Sequence, residues 1–444
     1  MAKRYYITII VILISIGIIA SSFGNYPIKP VKSANNTLIN SSDRVMVIAT
    51  HPDDEAIGCA GVMRYCTENH IPLKIVVITD GYLSASPVKR HDESVNAMKI
   101  LGVDQSDIIF LGYPDGTLPS LLTRNWNYSR PYRVNGTTNN SNYTYSYQEN
   151  ATYCGANLAG NLDEIITKFN PTVIFYPDSE DEQIDHWATN AFVEYITAQT
   201  NYNGSKYTYI VHDPPSWPSP RTYNPETYLL PPNELSAIDY KWVLFPLDRY
   251  QERLKEAAIN TYTSQVNSDS YIQSFIRKNE IFGINPQIIT IYSPEILNYF
   301  SSSDYPVNVV KEPKKNVRGK GSIRSREIIA AGFQMDNDNA WISLRTKQNI
   351  SPTSTYEIHI LALNSQNLER IDIKIHNGTA NYDIYSDNSF HSGNPKLQIR
   401  EDGLIVQIPS SALDNVNSFL MSADVLSGTV LIDWTGWREI EIER

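Results

Sequence analysis

The residue types best suited to chemistry stand together at residues 51–55, which read His-Pro-Asp-Asp-Glu. One imidazole and three carboxylates so close together destabilise one another unless protons or a cation neutralise them. His51 and Asp54 offer a nitrogen and an oxygen ligand, a combination that suits zinc. Asp53 lies between them and stays free to act as general base on a water molecule. An acidic helix N-terminus is the alternative, and it explains one or two of the acids but not the whole set.

A second cluster of acids ends at Asp185 and His186, after the run at residues 172–176. The first cluster follows a similar run at residues 45–50. Both runs are short and rich in β-branched residues, which predicts buried strands. In an open α/β sheet, ligands bind where the carboxyl ends of parallel strands meet. His186 can then complete a two-histidine, one-carboxylate ligand set with the first cluster, and one coordination position is left for water. A helix cap or a surface residue is the alternative for His186.

Strands and helices alternate along the first part of the chain. We predict strands at residues 45–50, 74–79, 107–112, 172–176 and 207–211, and helices at residues 56–69, 90–101, 156–169 and 186–197. This spacing is typical of βαβ units and predicts an α/β fold, a Rossmann-like, mostly parallel sheet with helices on both faces. The carboxyl edge of that sheet would gather the two clusters together with His212, which follows the last of these strands.

The hydrophobic period changes to two in the last part of the chain. Short alternating runs separated by turn residues predict a C-terminal all-β sandwich over residues 327–444. The polar, basic stretch at residues 305–326 is predicted to be a linker. Trp434 and Trp437 are placed where they could stack on a glycan, but a core role is favoured.

Both clusters resemble motifs of the LmbE-like, or PIG-L, family of zinc-dependent N-acetylglucosaminyl de-N-acetylases. The strand followed by His-Pro-Asp-Asp-Glu resembles the first family motif, and the loop that ends in Asp-His resembles the second. The resemblance implies a deacetylase domain at residues 44–304 that hydrolyses the N-acetyl group of an N-acetylglucosamine-like sugar in a glycoconjugate. It also implies Zn²⁺ as the cofactor. Its site residues would be the ligands His51, Asp54 and His186, the general base Asp53, and Asp185 as an orienting carboxylate.

One position departs from the family pattern. The family usually carries a histidine where this chain has Gln183, and an amide can neither carry a charge nor donate a proton as an acid. We therefore predict that His212 supplies the acid or electrophilic role, and that Gln183 contributes only hydrogen bonds. A structural histidine at the end of a strand is the alternative for His212.

Two further features leave alternatives open. Residues 119–155 are rich in Asn, Tyr, Ser and Thr and include Trp126. Such a long loop could stack aromatic rings on sugars or be a glycosylated surface insertion.

Arg90 and Glu93 stand three residues apart on a predicted helix. They could form a surface pair or lie beside the active site.

The N-terminus and the composition indicate export. Two basic residues precede an apolar stretch, so residues 1–23 are predicted to be a signal anchor or signal peptide, followed by a linker at residues 24–43. We expect a membrane-anchored protein with an extracellular catalytic domain, or a secreted protein. Asn-x-Ser/Thr triplets, clustered between Asn127 and Asn150, agree with export.

The three cysteines argue against a disulfide scaffold, and Cys59 and Cys66 are predicted core residues on one helix.

The expected partners are a glycan or glycolipid substrate and, through residues 1–23, a membrane. A net charge of −11 excludes nucleic acid as an expected partner.

Two other functions stay open at this point. One is a non-catalytic cell-surface glycan-binding protein with a degenerate metal site, and the other is a metal-dependent amidase that acts on a non-sugar substrate.

Overall fold

The computed structural model describes residues 38–212, 217–232, 235, 241–266, 270–284, 292–311, 327–363, 368–386 and 389–443. The predicted signal segment at residues 1–23 and most of the linker that follows it lie outside these ranges. Within the described ranges, no helix is both long enough and apolar enough to cross a membrane.

The first part of the chain forms a seven-stranded sheet in the order β3-β2-β1-β4-β5-β7-β6. The first five strands in this order pair in parallel, and β7 pairs antiparallel with both β5 and β6. The strands are β1 (Val45–Ala49), β2 (Leu73–Thr79), β3 (Ile108–Tyr113), β4 (Val173–Pro177), β5 (Ser205–Tyr209), β6 (Lys241–Pro246) and β7 (Asn279–Ile284). The predicted mostly parallel sheet is therefore confirmed.

Helices cover both faces of this sheet. They are α1 (Asp54–Glu68), α2 (Pro87–Leu101), α3 (Leu118–Thr123), α4 (Gly155–Phe169), α5 (Ile184–Gln199), α6 (Arg249–Asn260) and α7 (Thr263–Val266), with 3-10 turns at Gln105–Asp107 and Ser270–Phe275. A further 3-10 turn, at Ser410–Leu413, lies in the C-terminal part of the chain. Along β1, Val45 and Val47 face a core built with α1, α2 and α6, whereas Met46 and Ile48 face a core built with α3, α4 and α5. Burial on both faces explains why β1 is apolar throughout.

Cys59 and Cys66 lie buried on α1 as free thiols, which confirms their predicted core role. Trp126 bears on the sugar-stacking alternative for residues 119–155. Its side chain is buried and stacks on Phe192, with ring centroids 6.0 Å apart. Trp126 therefore does not serve the sugar-stacking alternative, because its ring already packs in the core beside α5.

The C-terminal part is a β-sandwich, as predicted. A five-stranded sheet has the order β15-β16-β10-β9-β8, and a larger sheet has the order β14-β13-β12-β11-β17-β18, with β19 also paired to β17. The strands are β8 (Asn308–Lys311), β9 (Ile328–Met335), β10 (Asn339–Thr346), β11 (Ser354–Leu363), β12 (Leu368–His376), β13 (Thr379–Ser386), β14 (Ser389–Gly393), β15 (Lys396–Arg400), β16 (Gly403–Pro409), β17 (Ser418–Ser427), β18 (Val430–Trp434) and β19 (Arg438–Glu441). Strand β8 falls within residues 305–326, the predicted linker.

The larger sheet of the sandwich has two buried faces. One face packs against the smaller sheet. From the other face, Leu361, Leu363, Leu420 and Trp437 join the apolar cluster that contains α5. The side chain of Trp437 is buried in this contact, which confirms the favoured core role of that tryptophan. The sandwich is therefore packed directly onto the α/β layer that carries both clusters.

A buried ion pair clamps α6 onto α1. The Lys255 ammonium lies 2.8 Å from Glu280 Oε1 and donates to the carbonyl of Ile57, and both charged side chains are fully buried. Glu280 also accepts the backbone N–H groups of Gly61 and Val62, on α1. The contact therefore joins β7, α1 and α6 through one carboxylate.

Replacing Lys255 by Met should lower the free energy of unfolding by about 3–5 kcal/mol, because the Glu280 carboxylate is then left buried without its cation. Lys74→Met is the matched control, since Lys74 pairs with Asp107 at a partly exposed site, and exposed pairs contribute about 0.2–1 kcal/mol. Denaturant titration of the two variants measures both values, and equal losses would contradict the interpretation.

Candidate metal centre

The two clusters meet because β1 and β4 are neighbouring parallel strands. The sheet order runs outward in both directions from this pair, so the clusters sit where the strand order reverses, the usual ligand site of such sheets. His51 stands two residues beyond β1, Asp54 is the first residue of α1, and His186 lies in the first turn of α5. Sequence positions 135 residues apart are thus brought into contact at one edge of the sheet.

Three ligand atoms form a tight triangle. His51 Nδ1 lies 3.3 Å from Asp54 Oδ2, His186 Nε2 lies 3.0 Å from the same oxygen, and the two nitrogens are 3.2 Å apart. All three side chains are buried. Tetrahedral zinc with bonds near 2.0–2.1 Å separates neighbouring ligand atoms by roughly 3.3 Å. The residue types and their spacing therefore fit a zinc ion, and the predicted ligand set is assembled in one place.

The electrostatics of the triangle also favour a cation. Burial lowers the pKa of His186, but the carboxylates of Asp181 and Asp54 outweigh burial and raise that pKa to about 10. Burial alone would raise the pKa of Asp54, yet His186 and His51 hold it well below its usual value. The surrounding charges thus stabilise positive charge at this point, which a bound metal ion also supplies.

Each imidazole of the predicted ligand set contacts a carboxylate through its second nitrogen. Asp181 Oδ2 lies 3.1 Å from His186 Nδ1, and Asp115 Oδ1 lies 3.1 Å from His51 Nε2. Such carboxylates fix the orientation of ligand rings and increase their basicity. Neither Asp181 nor Asp115 was predicted as a site residue. Both stand in loops that follow parallel strands, and that position is the signal that could have identified them.

Asp53 occupies a strained position at the start of α1. Its φ of 137° is rarely adopted by residues other than glycine. Its backbone N–H is held by Glu55 Oε2 at 2.9 Å, and its Oδ1 lies 3.2 Å from Arg90 Nη2. Burial raises the pKa of Asp53 to about 7, opposed by Arg90 and reinforced by the Asp54 charge. A carboxylate in this setting is suited to taking up a proton.

Arg90 lies beside the site rather than on the surface. Its side chain is buried and donates to the carbonyl of Pro52 as well as pairing with Asp53. Glu93 points elsewhere and accepts hydrogen bonds from the hydroxyls of Thr263 and Ser264. The alternative of a surface pair between Arg90 and Glu93 is therefore wrong.

Asp185 orients the turn after β3. Its two oxygens accept the backbone N–H groups of Gly116 and Leu118, the latter at 2.9 Å, and Oδ2 lies 3.5 Å from His51 Nε2. The turn that Asp185 holds also carries Asp115. The Asp185 carboxylate therefore contacts His51 directly and also holds the turn that carries Asp115, a second partner of His51.

Gln183 caps the helix that presents His186. Its Oε1 accepts the backbone N–H groups of Asp185 and His186, and its Nε2 lies 3.3 Å from His51 Nε2. Both ends of the amide are therefore used in hydrogen-bond contacts. This arrangement agrees with the predicted hydrogen-bonding role.

His212 lies at the rim of the site. The strand before it ends earlier than predicted, at Tyr209, so His212 belongs to the following loop. Its Nδ1 is 3.4 Å from Asp181 Oδ1, its ring centroid is 4.8 Å from that of His186, and its side chain is 39% exposed. It is close enough to a ligand, and open enough to solvent, to meet a substrate in the cleft. Its role as an acid stays a prediction.

A cleft of about 330 Å³ opens over these residues. It is lined by His51, Asp53, Asp54, Ile57, Leu83, Ser84, Arg90, Asp115, Gln183, Val211, His212, Gln265, Tyr271 and Ile272. Leu83 is 69% exposed at its mouth. The polar floor with a partly apolar rim is typical of a small-molecule site. A larger depression of about 510 Å³, lined by residues between 147 and 164, lies apart from the imidazoles.

Residues 46–197 match a protein family described as PIG-L, GlcNAc-PI de-N-acetylase. The chain is also 33% identical over 88 residues to the uncharacterized deacetylase YaiS of Escherichia coli strain K12. The aligned region covers 19% of this chain and 46% of that protein. The chain thus spans less than half the length of this relative. The family match contains both clusters and ends before His212.

Two solved structures are similar in part. The conserved protein TT1542 from Thermus thermophilus is 18% identical, with 59% of this chain and 100% of that chain covered and a TM-score of 0.36. The N,N'-diacetylchitobiose deacetylase from Pyrococcus horikoshii is 19% identical, with 50% and 71% covered and a TM-score of 0.31.

Purified protein should contain one zinc ion per chain, because the three ligand atoms form one tetrahedral face. Elemental analysis measures the stoichiometry, and His186→Ala should lose the metal. His376→Ala is the control, since His376 lies on the sandwich, where its ring bonds to the Thr355 hydroxyl. Full zinc content in the His186 variant would refute the ligand assignment.

Proposed function

We propose that the protein is a zinc-dependent de-N-acetylase, on the premise that its residues 46–197 match the PIG-L family. The observation that carries the proposal is the triangle of two imidazole nitrogens and one carboxylate oxygen, with edges of 3.0–3.3 Å, at the floor of the cleft. The Asp53 carboxylate lies beside this triangle and is held by Arg90. A metal ligand set with an adjacent carboxylate base is the arrangement that amide hydrolysis requires.

His51, Asp54 and His186 would hold the zinc ion. Bound there, zinc supplies Lewis acidity, which makes water more acidic and polarises an amide carbonyl. Asp53 takes the proton of the attacking water, whose oxygen adds to the acetyl carbon. The bond from that carbon to nitrogen then breaks, giving acetate and a free amine. His212 at the rim donates the proton that the departing nitrogen needs.

The remaining residues hold this machinery in position. Arg90 keeps the Asp53 carboxylate turned into the cleft, and Glu55 fixes the strained backbone of Asp53. Asp181 and Asp115 orient the ligand imidazoles. Rigid placement of the base and the ligands matters because a small displacement of a reacting group costs much of the rate.

The proposed substrate is an N-acetylglucosamine-like residue of a glycoconjugate. Support comes from the family description, which names a GlcNAc-PI de-N-acetylase. The apolar, exposed rim at Leu83 fits the face of a sugar ring or an aglycone. A cell-surface glycan or glycolipid fits the predicted export of the chain, and the membrane-anchored or secreted location stays a proposal that rests on residues 1–23.

Acetate release separates the proposed function from its alternatives. We expect the purified chain to release acetate from N-acetylglucosamine glycosides, and we expect chelation to abolish the release and zinc to restore it. Release from N-acetylated non-sugar amines alone would favour the amidase alternative. Glycan binding without any release would favour the non-catalytic alternative, against which the intact ligand triangle and Asp53 argue.

Asp53→Asn should retain zinc but lose most of the activity, because an amide cannot take the proton of the attacking water. Loss of a general base typically costs about 10²–10⁴-fold. Asp92→Asn is the control, since Asp92 is exposed and pairs with His91 away from the cleft. The measurement is the rate constant for acetate release. A near wild-type rate for Asp53→Asn would rule out Asp53 as the general base.

His212→Ala should lose most of the rate, because the departing amine then lacks its proton donor. A general acid acts only while it holds a proton to donate, so the wild-type rate should fall on the alkaline side of the pH–rate profile, and the variant should lose this alkaline limb. Gln183→Ala should lose less, since an amide donates only hydrogen bonds. The pH–rate profiles of the three proteins test this, and an unchanged profile for His212→Ala would place the acid elsewhere.

A further inference from the structure

The β-sandwich reaches the loop at residues 178–183, which leads to His186, through residues 434–438, from the end of β18 to the start of β19. Arg438 donates to the hydroxyl of Ser179 and forms an ion pair with Glu180. Gly436 lies so close that a Cβ there would come within 2.7 Å of the Ser179 carbonyl oxygen. Trp434 adds a ring contact to Trp187, with centroids 6.5 Å apart. The two parts of the chain therefore touch at the loop that leads to His186.

This loop and the first turn of α5 bury four carboxylates. Asp178, Glu180, Asp181 and Asp185 are each no more than 1% exposed. Buried carboxylates are stable only when charges or hydrogen bonds compensate them. Asp181 and Asp185 lie against the ligand imidazoles. Glu180 forms its ion pair with Arg438, a residue far along the chain in the sandwich.

The residue that pairs with Arg438 directly precedes Asp181, the carboxylate that contacts His186. Glu180 is followed by Asp181, whose Oδ2 lies 3.1 Å from His186 Nδ1 and accepts the backbone N–H groups of Val211 and His212. On the other side, the Glu180 N–H is held by Asp178 Oδ1 at 2.8 Å. A shift of Glu180 would therefore move the carboxylate that orients a metal ligand.

We propose that Arg438 is a positioning residue of the metal centre, and that the β-sandwich completes this centre instead of acting as a separate binding module. Arg438 acts through Glu180 and Asp181 on the ring of His186. The inference deepens the proposed function and rests on it only for the consequence in catalysis, because metal binding is measured without a substrate.

The test compares variants of the full-length chain. Arg438→Gln removes the cation that pairs with Glu180, so zinc affinity, measured by competition with a chelator, should fall on the order of tenfold. The absorption bands of the cobalt-substituted protein should change as well, since they report ligand geometry. Adding Glu180→Gln to Arg438→Gln removes the uncompensated charge and should return affinity toward the wild-type value.

Leu363→Ala is the matched control. Leu363 is fully buried in the same contact between the sandwich and α5, but it carries no charge. This variant should lower the melting temperature and leave zinc affinity and the cobalt spectrum unchanged. If Arg438→Gln does not fold, Arg438→Lys and the double variant carry the test. Arg438→Lys keeps the charge but lacks the two separate guanidinium nitrogens that reach Ser179 and Glu180, so its affinity should fall several-fold.

The inference is overturned if the Arg438 variants change only the melting temperature, as Leu363→Ala does, and keep wild-type zinc affinity and cobalt spectra. If the wild-type chain binds zinc but releases no acetate, the proposed deacetylation is refuted. The role of Arg438 is then still decided by the measurements of zinc affinity and the cobalt spectra.

Discussion

The structure depends on placing several buried carboxylates and two imidazoles at one edge of a parallel sheet without uncompensated charge. Asp54, Asp115 and Asp181 each lie within 3.3 Å of a ligand imidazole nitrogen. A group of like charges this dense is stable in a protein interior only when opposite charge is placed among it. Without a metal, protonated imidazoles would supply that charge, and a divalent cation in the triangle would supply it in their place. The need for compensation and the capacity for chemistry therefore arise from the same residues.

The fold meets this need through its topology. Strands β1 and β4 are neighbours although they stand far apart along the chain. Their apolar residues are buried on both faces, which leaves the polar groups only at the strand ends. The surrounding carboxylates and the caps at the helix starts then fix each side chain. The sandwich adds a further layer behind α5, and Arg438 brings compensating charge from outside the α/β part.

Much of this arrangement could be predicted from the sequence, for identifiable reasons. Apolar runs rich in β-branched residues predicted the strands, and the acids and histidines directly after them predicted which residues converge. Helix and strand bounds differed by a few residues, as at β5, because hydrophobic period does not define where pairing ends. The burial of Trp126 could not be predicted, since a polar surrounding sequence does not reveal a tertiary stacking partner. Arg438 could not be foreseen at all, because its partner Glu180 stands in a different part of the chain and only the packing of two layers joins them.

The most direct test of the account is X-ray absorption at the zinc edge of the purified full-length protein, because it reports the number and kind of ligand atoms. The account predicts a first shell of nitrogen and oxygen atoms at about 2.0–2.2 Å, together with the outer-shell signal of two imidazole rings. Loss of one ring signal in His186→Ala would identify that ligand. A shell with sulfur at about 2.3 Å, or a spectrum without two imidazoles, would contradict the proposed centre.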